Sequence, residues 1–451
     1  MSEAGRADDN DLDLLSELIA RARKAGADTA DAVLFRSAAL EVSWRLGSRE
    51  DLERSESRDL GLRVFVGRRA AVVSSTDLSA AALDELVERG VAMARLAPED
   101  RYGGLADPDQ LCRSMPELDL DEPGEPAPDT LYERAGAAEA AALAVEGISN
   151  SDGAGAGWGR SSVALATSHG FAGAYSATSH SFHASVVAGE GTGMERDYDF
   201  SSARYVGDLE EPAAVGRRAG ERAVRRLQPR KASSRRVPVV YEPRVARSLL
   251  GHFAGAISGQ AVARQTSFLL DRMGEAVFPA AIRIVDDPHR PRGLASKPFD
   301  GEGVANARSD LVDGGVLQGW LLDSAAARQL GLKSTGHAAR GTSGPPSPAP
   351  TNLYMEPGAL SPQELIADIE EGLFVTELIG FGVNGVTGDY SRGAAGFWIE
   401  KGEIAYPVSE LTIAGNLKDM FLNLTAADDL EFRFGSNAPT LRVEGMTVAG
   451  T

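Results

Sequence analysis

The segment Thr387–Pro407, TGDYSRGAAGFWIEKGEIAYP, reads as a turn leading into a strand, with Lys401-Gly402 placed to reverse the chain. Asn384-Gly385 just upstream and Asp313-Gly314 further back are turn dipeptides of the same kind. Short strands separated by such turns predict a mostly antiparallel, barrel-like sheet as the core of the C-terminal part. A strand at Val237–Tyr241 and a helix from Pro243 to about Gln265 open this unit, which spans 236–451. Gly341–Pro350, GTSGPPSPAP, is expected to be a loop, because proline removes donors and fixes φ.

Moving toward the N-terminus, Leu40, Val42, Trp44 and Leu46 alternate with polar residues, the period of a half-buried strand. Leu60–Val66 and Ala70–Ser74 follow as two more strands. Helices are predicted over Asp11–Ala25, with Leu15, Leu18, Ile19 and Ala22 on one face, and from an N-cap at Ser79 to Ala97. Residues 1–10 read as a disordered tail and 11–97 as an N-terminal α/β unit. The proline-rich, acidic stretch 98–129 reads as a solvated connector. A middle α+β unit, 130–230, holds helices at Thr130–Val145 and Pro212–Leu227 with strands at Ser161–Thr167 and Gly173–Val187. The fold class expected is thus α+β, a helix-and-sheet N-terminal portion followed by the barrel-like domain.

A chain of 451 residues with a formal net charge of −19 is poorly suited to nucleic acid, whose phosphates need a basic surface. The acidic, polar start MSEAGRADDNDLDLL has no basic and apolar secretory pattern, no apolar run is long enough to span a bilayer, and there is one cysteine, Cys112. A cytoplasmic address and no membrane partner are expected. Arg218, Arg222, Arg225 and Arg226 recur at helical spacing and read as a solvated face or as a dock for an acidic partner.

Chemistry-bearing motifs are sparse. His180 and His183 lie three apart on a predicted strand, which sends their rings to opposite faces. There is no G-x-S-x-G elbow. Gly380-Phe-Gly-Val-Asn-Gly385 has the spacing of a dinucleotide fingerprint but is followed by strand rather than helix, so turn-forming glycines explain it.

Read in order, FDGEGV (299–304), STGHAAR (334–340), APTNLY (349–354), the Thr387–Pro407 segment and LTIAGNL (411–417) resemble the third domain of the TldD/PmbA family, and LGLRVFVGRRAAVVSST (60–76) resembles its first. The family is a two-subunit peptidase system whose TldD-type subunit carries a zinc-binding H-E-x-x-x-H helix. No His-Glu dipeptide occurs in this chain. His252 matches the motif's first histidine, which sets Phe253 in place of the general-base glutamate and Ile257 in place of the second histidine. Phenylalanine and isoleucine neither bind zinc nor move protons. The resemblance therefore implies a PmbA (TldE)-type subunit with no catalytic or metal-binding residues of its own. It would form a heterodimer with a TldD-type chain that supplies the zinc, and act on unfolded peptides or peptide precursors.

Arg340, Thr351, Asn352, Asp389, Tyr390, Ser391 and Arg392 fall at turns and strand ends within the resemblance. They are candidates for the substrate groove or partner interface, with turn-capping and pairing of Arg340 to one of the acids Asp300, Glu302 or Asp389 as the plainer explanation. Two alternatives stay open: an autonomous hydrolase or amidase acting on small peptides through a non-zinc site, and a peptide-binding module without a peptidase partner.

Overall fold

The computed structural model describes residues 9–450. The tail expected over 1–10 falls on residues 1–8, outside the described residues, and on Asp9 and Asn10, which already belong to the first helix, α1 (Asp9–Lys24).

One six-stranded antiparallel sheet, in the order β3-β2-β1-β4-β5-β6, runs through both units upstream of residue 230. Its strands are β1 (Thr29–Arg45), β2 (Ser48–Val66), β3 (Arg69–Ser75), β4 (Ile148–Thr167), β5 (Ala172–Ala188) and β6 (Glu195–Ala203). Strand alternation explains how this sheet is covered. Ala32, Leu34, Leu40 and Val42 of β1 turn to the helical face. There α1 and α2 (Ala80–Leu96, capped by Ser79) cover one end, and α3 (Pro128–Leu143) with α4 (Pro212–Arg225) covers the other. Helices α3 and α4 meet through small residues: a Cβ on Gly216 would lie 1.9 Å from the Ala138 carbonyl oxygen, so only glycine allows this approach. Asp31, Val33 and Phe35 point the other way, toward the C-terminal domain.

That domain is built on a closed barrel. Strand β7 (Arg235–Tyr241) pairs in parallel with Glu371–Val383 and antiparallel with Leu441–Ala449. Asp389–Glu400 and Glu403–Asn416 follow as hairpins, and Glu403–Asn416 returns to Leu441–Ala449 to close the ring. Helix α5 (Pro243–Ala256) packs Leu249, Leu250 and Phe253 into its core. The expected α+β fold with a mostly antiparallel barrel is the fold observed.

Four local expectations are corrected. The helix expected to run to Gln265 ends at Ala256 and restarts as Gly259–Ala263, with Ile257 fully buried at the break. The GTSGPPSPAP loop contains a two-residue bridge, Ser347–Pro348 against Ala338–Ala339. The connector is solvated only in part: Leu105, Ala106, Leu118 and Leu120 are buried, the Thr178 N–H donates to the Leu120 carbonyl (2.9 Å), and the Cys112 N–H donates to Gly303 (2.9 Å). It straps the sheet to the C-terminal domain.

Of the four arginines, Arg218, Arg222 and Arg226 form neither a solvated face nor a free docking face, and Arg225 alone is exposed. Arg218 and Arg222 bond Asp199 on β6 at 2.7 and 3.1 Å, and Arg433 of the C-terminal domain reaches the same carboxylate at 2.9 Å. Arg226 pairs with Asp197 and Glu377, while Arg244 at the start of α5 holds Asp197 at 2.7 Å. Arg225 lies over Phe397. Burial opposes ionisation of Asp199, but Arg222, Arg433 and Arg218 outweigh it and hold its carboxyl below the ordinary value. Removing one member of such a buried network leaves unmatched charge. Asp199→Asn should therefore lower unfolding stability by about 3–5 kcal/mol, seen as a lower denaturant midpoint. In the parent chain this contribution should be complete at neutral pH and decline once pH falls below about 4, since the carboxyl must be protonated to lose it.

Candidate functional site

Pro243 opens α5, fitting its fixed φ to the first helical turn. Two turns later His252 faces the strand Asp389–Glu400, its ring 5.9 Å from that of Tyr390 and nearly perpendicular to it. The Nε2 atom of His252 has no hydrogen-bond partner among the described residues. Burial and the nearby Arg392 guanidinium push its pKa below 6.5. The next turn is apolar: Phe253 and Ile257 are fully buried in the barrel core, with Phe253 edge-on to Phe278 and Phe421.

This donor set does not fit zinc. One imidazole stands beside a tyrosine and a cationic guanidinium, where a metal needs further imidazole, thiolate or carboxylate donors. Among the described residues no group of three or more His, Cys, Asp or Glu is arranged to hold a metal ion. His180 and His183 do take opposite faces of β5: His180 is buried 2.7 Å from Glu122, while His183 lines an open groove with Glu41 and Asp152.

The seven polar candidates separate by position. On the hairpin, Asp389 and Ser391 are exposed and Arg392 half-buried; Asp389 accepts from the Thr387 hydroxyl (2.6 Å) and the Asn416 amide (3.1 Å). Tyr390 is buried against Tyr241 and His252. Thr351 donates its N–H (2.6 Å) and hydroxyl (2.5 Å) to Asp286, which also faces His337 at 3.2 Å. Asn352 ties Asp287, Ala295 and Ser296 together. Arg340 pairs with Asp31 on β1 at 2.8 Å rather than with Asp300, Glu302 or Asp389. Asp31 also takes Arg63 at 2.5 Å, and Glu302 lies 3.5 Å from Arg63, so four charged side chains close the junction between sheet and C-terminal domain. Thus Thr351 and Asn352 are spent inside the chain and the side chains of Arg340 and Tyr390 are buried in it, while Asp389, Ser391 and Arg392 remain accessible.

The hairpin carrying those three has a second property. One extra residue sits between Ile379 and Gly382 opposite Gly393 and Ser391. Gly380 takes φ +80°, open to glycine at little cost, and the bulge throws Phe381 outward. Phe381 is 95% exposed, on the same hairpin as exposed Ile379 and Val386, with Arg392 5.8 Å over its ring.

Residues 234–450 match the PmbA/TldA metallopeptidase C-terminal domain, 121–227 the central domain and 30–94 domain 1 of the same family. The chain is 41% identical over 425 residues to "Metalloprotease PmbA" of Escherichia coli O157:H7, covering 94% of this chain and 92% of that one. It belongs to the PmbA/TldD family, as a PmbA-type member. Among solved structures, a protein of Bacteroides thetaiotaomicron named as a candidate modulator of DNA gyrase superposes with a TM-score of 0.90 at 29% identity, over 98% of this chain and all of that one. TldE from Thermococcus kodakarensis shares the fold, with a TM-score of 0.85 at 21% identity over 97% of this chain and 100% of that one.

For this PmbA-type chain, proton titration followed by NMR should place His252 below 6.5, and Arg392→Gln should move it upward by removing the adjacent positive charge. An unchanged value in that variant would show burial alone to be responsible.

Proposed function

We propose that this chain is a non-catalytic PmbA/TldE-type subunit of a cytoplasmic peptidase, completing a TldD-type zinc-bearing chain that cuts unfolded peptides or peptide precursors. The observation that carries this reading is the apolar filling of α5. Where the family's zinc helix would need a carboxylate and a second imidazole, Phe253 and Ile257 are core side chains with no exposure. Restoring donors there would bury polar groups in the barrel, so the substitution pattern is tied to the fold and not only to the surface.

The partner surface we assign is the hairpin bearing Ile379, Phe381 and Val386. An exposed phenylalanine flanked by aliphatic side chains and an arginine has the composition of an interface anchor. Among the described residues no helix is long and apolar enough to cross a membrane.

The decisive experiment mixes this chain with a TldD-type homologue from the same genome. Cleavage of an unfolded peptide is expected only in the mixture, with zinc co-purifying with the homologue. Turnover by this chain alone, surviving chelation, would overturn the reading. Phe381→Asp should weaken association with the homologue by about 2 kcal/mol or more while leaving circular dichroism and thermal midpoint unchanged, because the ring touches little of its own chain. Equal affinity would remove the hairpin from the interface.

A further inference from the structure

The face of the large sheet opposite its helices carries a small cleft at the junction with the C-terminal domain. Register places Val33 across from Leu165, Phe35 across from Val163, and Val163 across from Tyr175, so these side chains share one side of β1, β4 and β5. With Phe299 they make an apolar wall around a cavity of ≈ 120 Å³, and Phe35, Val163 and Tyr175 are half-exposed along it. The remaining lining comes from the 297–301 and 338–340 segments and includes three charged side chains, Lys297, Asp300 and Arg340.

Those cations are incompletely hydrogen-bonded. Lys297 is half-buried, and among the described residues its ammonium makes a single hydrogen bond, to the Ala338 carbonyl at 3.4 Å. Arg340 has a side chain only 1% exposed; its Nη1 bonds Asp31, but Nε and Nη2 have no hydrogen-bond partner among the described residues. A buried guanidinium with two unsatisfied nitrogens is costly unless an acceptor is supplied. Asp300 does not supply it: its oxygens already accept the N–H groups of Glu302 (2.8 Å), Val304 (2.9 Å) and Ala338 (3.1 Å). Asp31 and Glu302 balance Arg63 and Arg340, which leaves Lys297 with Asp300 and, without a hydrogen bond, Asp286. Burial and the neighbouring Glu302 push Asp300 up to about 7, so near neutral pH that partner carries only part of a charge. Burial lowers the Lys297 pKa by more than Asp300 and Asp286 raise it.

We propose that this cleft binds a small carboxylate bearing one apolar side chain, the carboxylate taken by Arg340 and Lys297 and the side chain by Val163, Leu165 and Tyr175. An engineered apolar cavity of about 150 Å³ admits benzene, so this one has room for a single branched or ring-sized group and not for a folded segment. The chemistry is shared by a free hydrophobic amino acid and by the last residue of a peptide. The inference concerns this chain alone and stands whether or not it pairs with a peptidase.

Calorimetric titration of the purified full chain with leucine, N-acetyl-leucine and N-acetyl-leucinamide tests it. Saturable binding of at least one carboxylate is expected, with the amide at least about tenfold weaker because it lacks the charge that Arg and Lys donors recognise. Binding of N-acetyl-leucine but not leucine identifies a peptide C-terminus; binding of leucine identifies a free amino acid, and both outcomes support the site. Lys297→Met should weaken the carboxylate about tenfold or more while the thermal midpoint holds or rises, since an under-paired, half-buried charge is removed. Val163→Trp should abolish binding with both cations in place. The proposal is overturned if the amide binds as well as the acid, if Lys297→Met binds like the parent, or if neither acid shows saturation up to about 10 mM, a level at which binding would be weaker than about 3 kcal/mol.

Discussion

The junction between the two halves of the molecule depends on Asp31. It sits on β1 with no exposure, directly across the ladder from Arg63, and receives Arg340 from the C-terminal domain. Burial alone would favour the neutral acid, yet Arg340 and Arg63 together hold its carboxyl below the ordinary value. A carboxylate so placed fixes three separate chain segments at once. Glu302, reaching Arg63 and accepting the Ser324 N–H, extends the same constraint to the helix that begins there. Apolar packing could join the domains more cheaply, but it would not fix their register: a buried charge tolerates few alternative positions.

The Asp197/Asp199 network on β6 repeats this arrangement at the sheet's far edge, with arginines from α4, α5 and the loop at Arg433. The polar residues that look functional in the sequence are therefore divided between two tasks. Thr351, Asn352 and Arg340 hold domains and loops in register, while Asp389, Ser391 and Arg392 stand on an accessible hairpin beside an apolar tip. His252 lies between these regimes, packed on Tyr390 and short of a partner at Nε2.

Much of the architecture is legible in the sequence where one local rule dominates. Ser79 caps α2 where a cap is expected, and the alternating Leu60–Val66 segment is the buried end of β2. The hairpin turns at Asn384-Gly385 and Lys401-Gly402 also follow from composition. Strand β6 escapes detection because Asp197 and Asp199 occupy its inward positions, where an apolar pattern would be sought. The connector misleads for a related reason: its prolines and acids hide Leu105, Leu118 and Leu120, whose burial depends on surfaces far away in sequence. For the same reason Asp31, Arg63 and Lys297 do not stand out in the sequence, although a lone charge in an apolar strand is a signal for the first two. The exposed Phe381 was visible only as part of a glycine-rich turn.

The central ladder of the large sheet has a consequence for synthesis. Strand β1 pairs with β2 at once, but its other edge waits for β4, and the contact between Ala30 and Ser168 spans 138 residues. At about 5–20 residues per second, a ribosome needs roughly ten seconds to supply the missing strand. Throughout that interval the nascent chain presents an unpaired backbone edge. The same edge already carries Asp31, whose charge has no Arg340 to meet until the chain is three-quarters made. The residue that later holds the domains together thus first serves to keep an open strand edge in water.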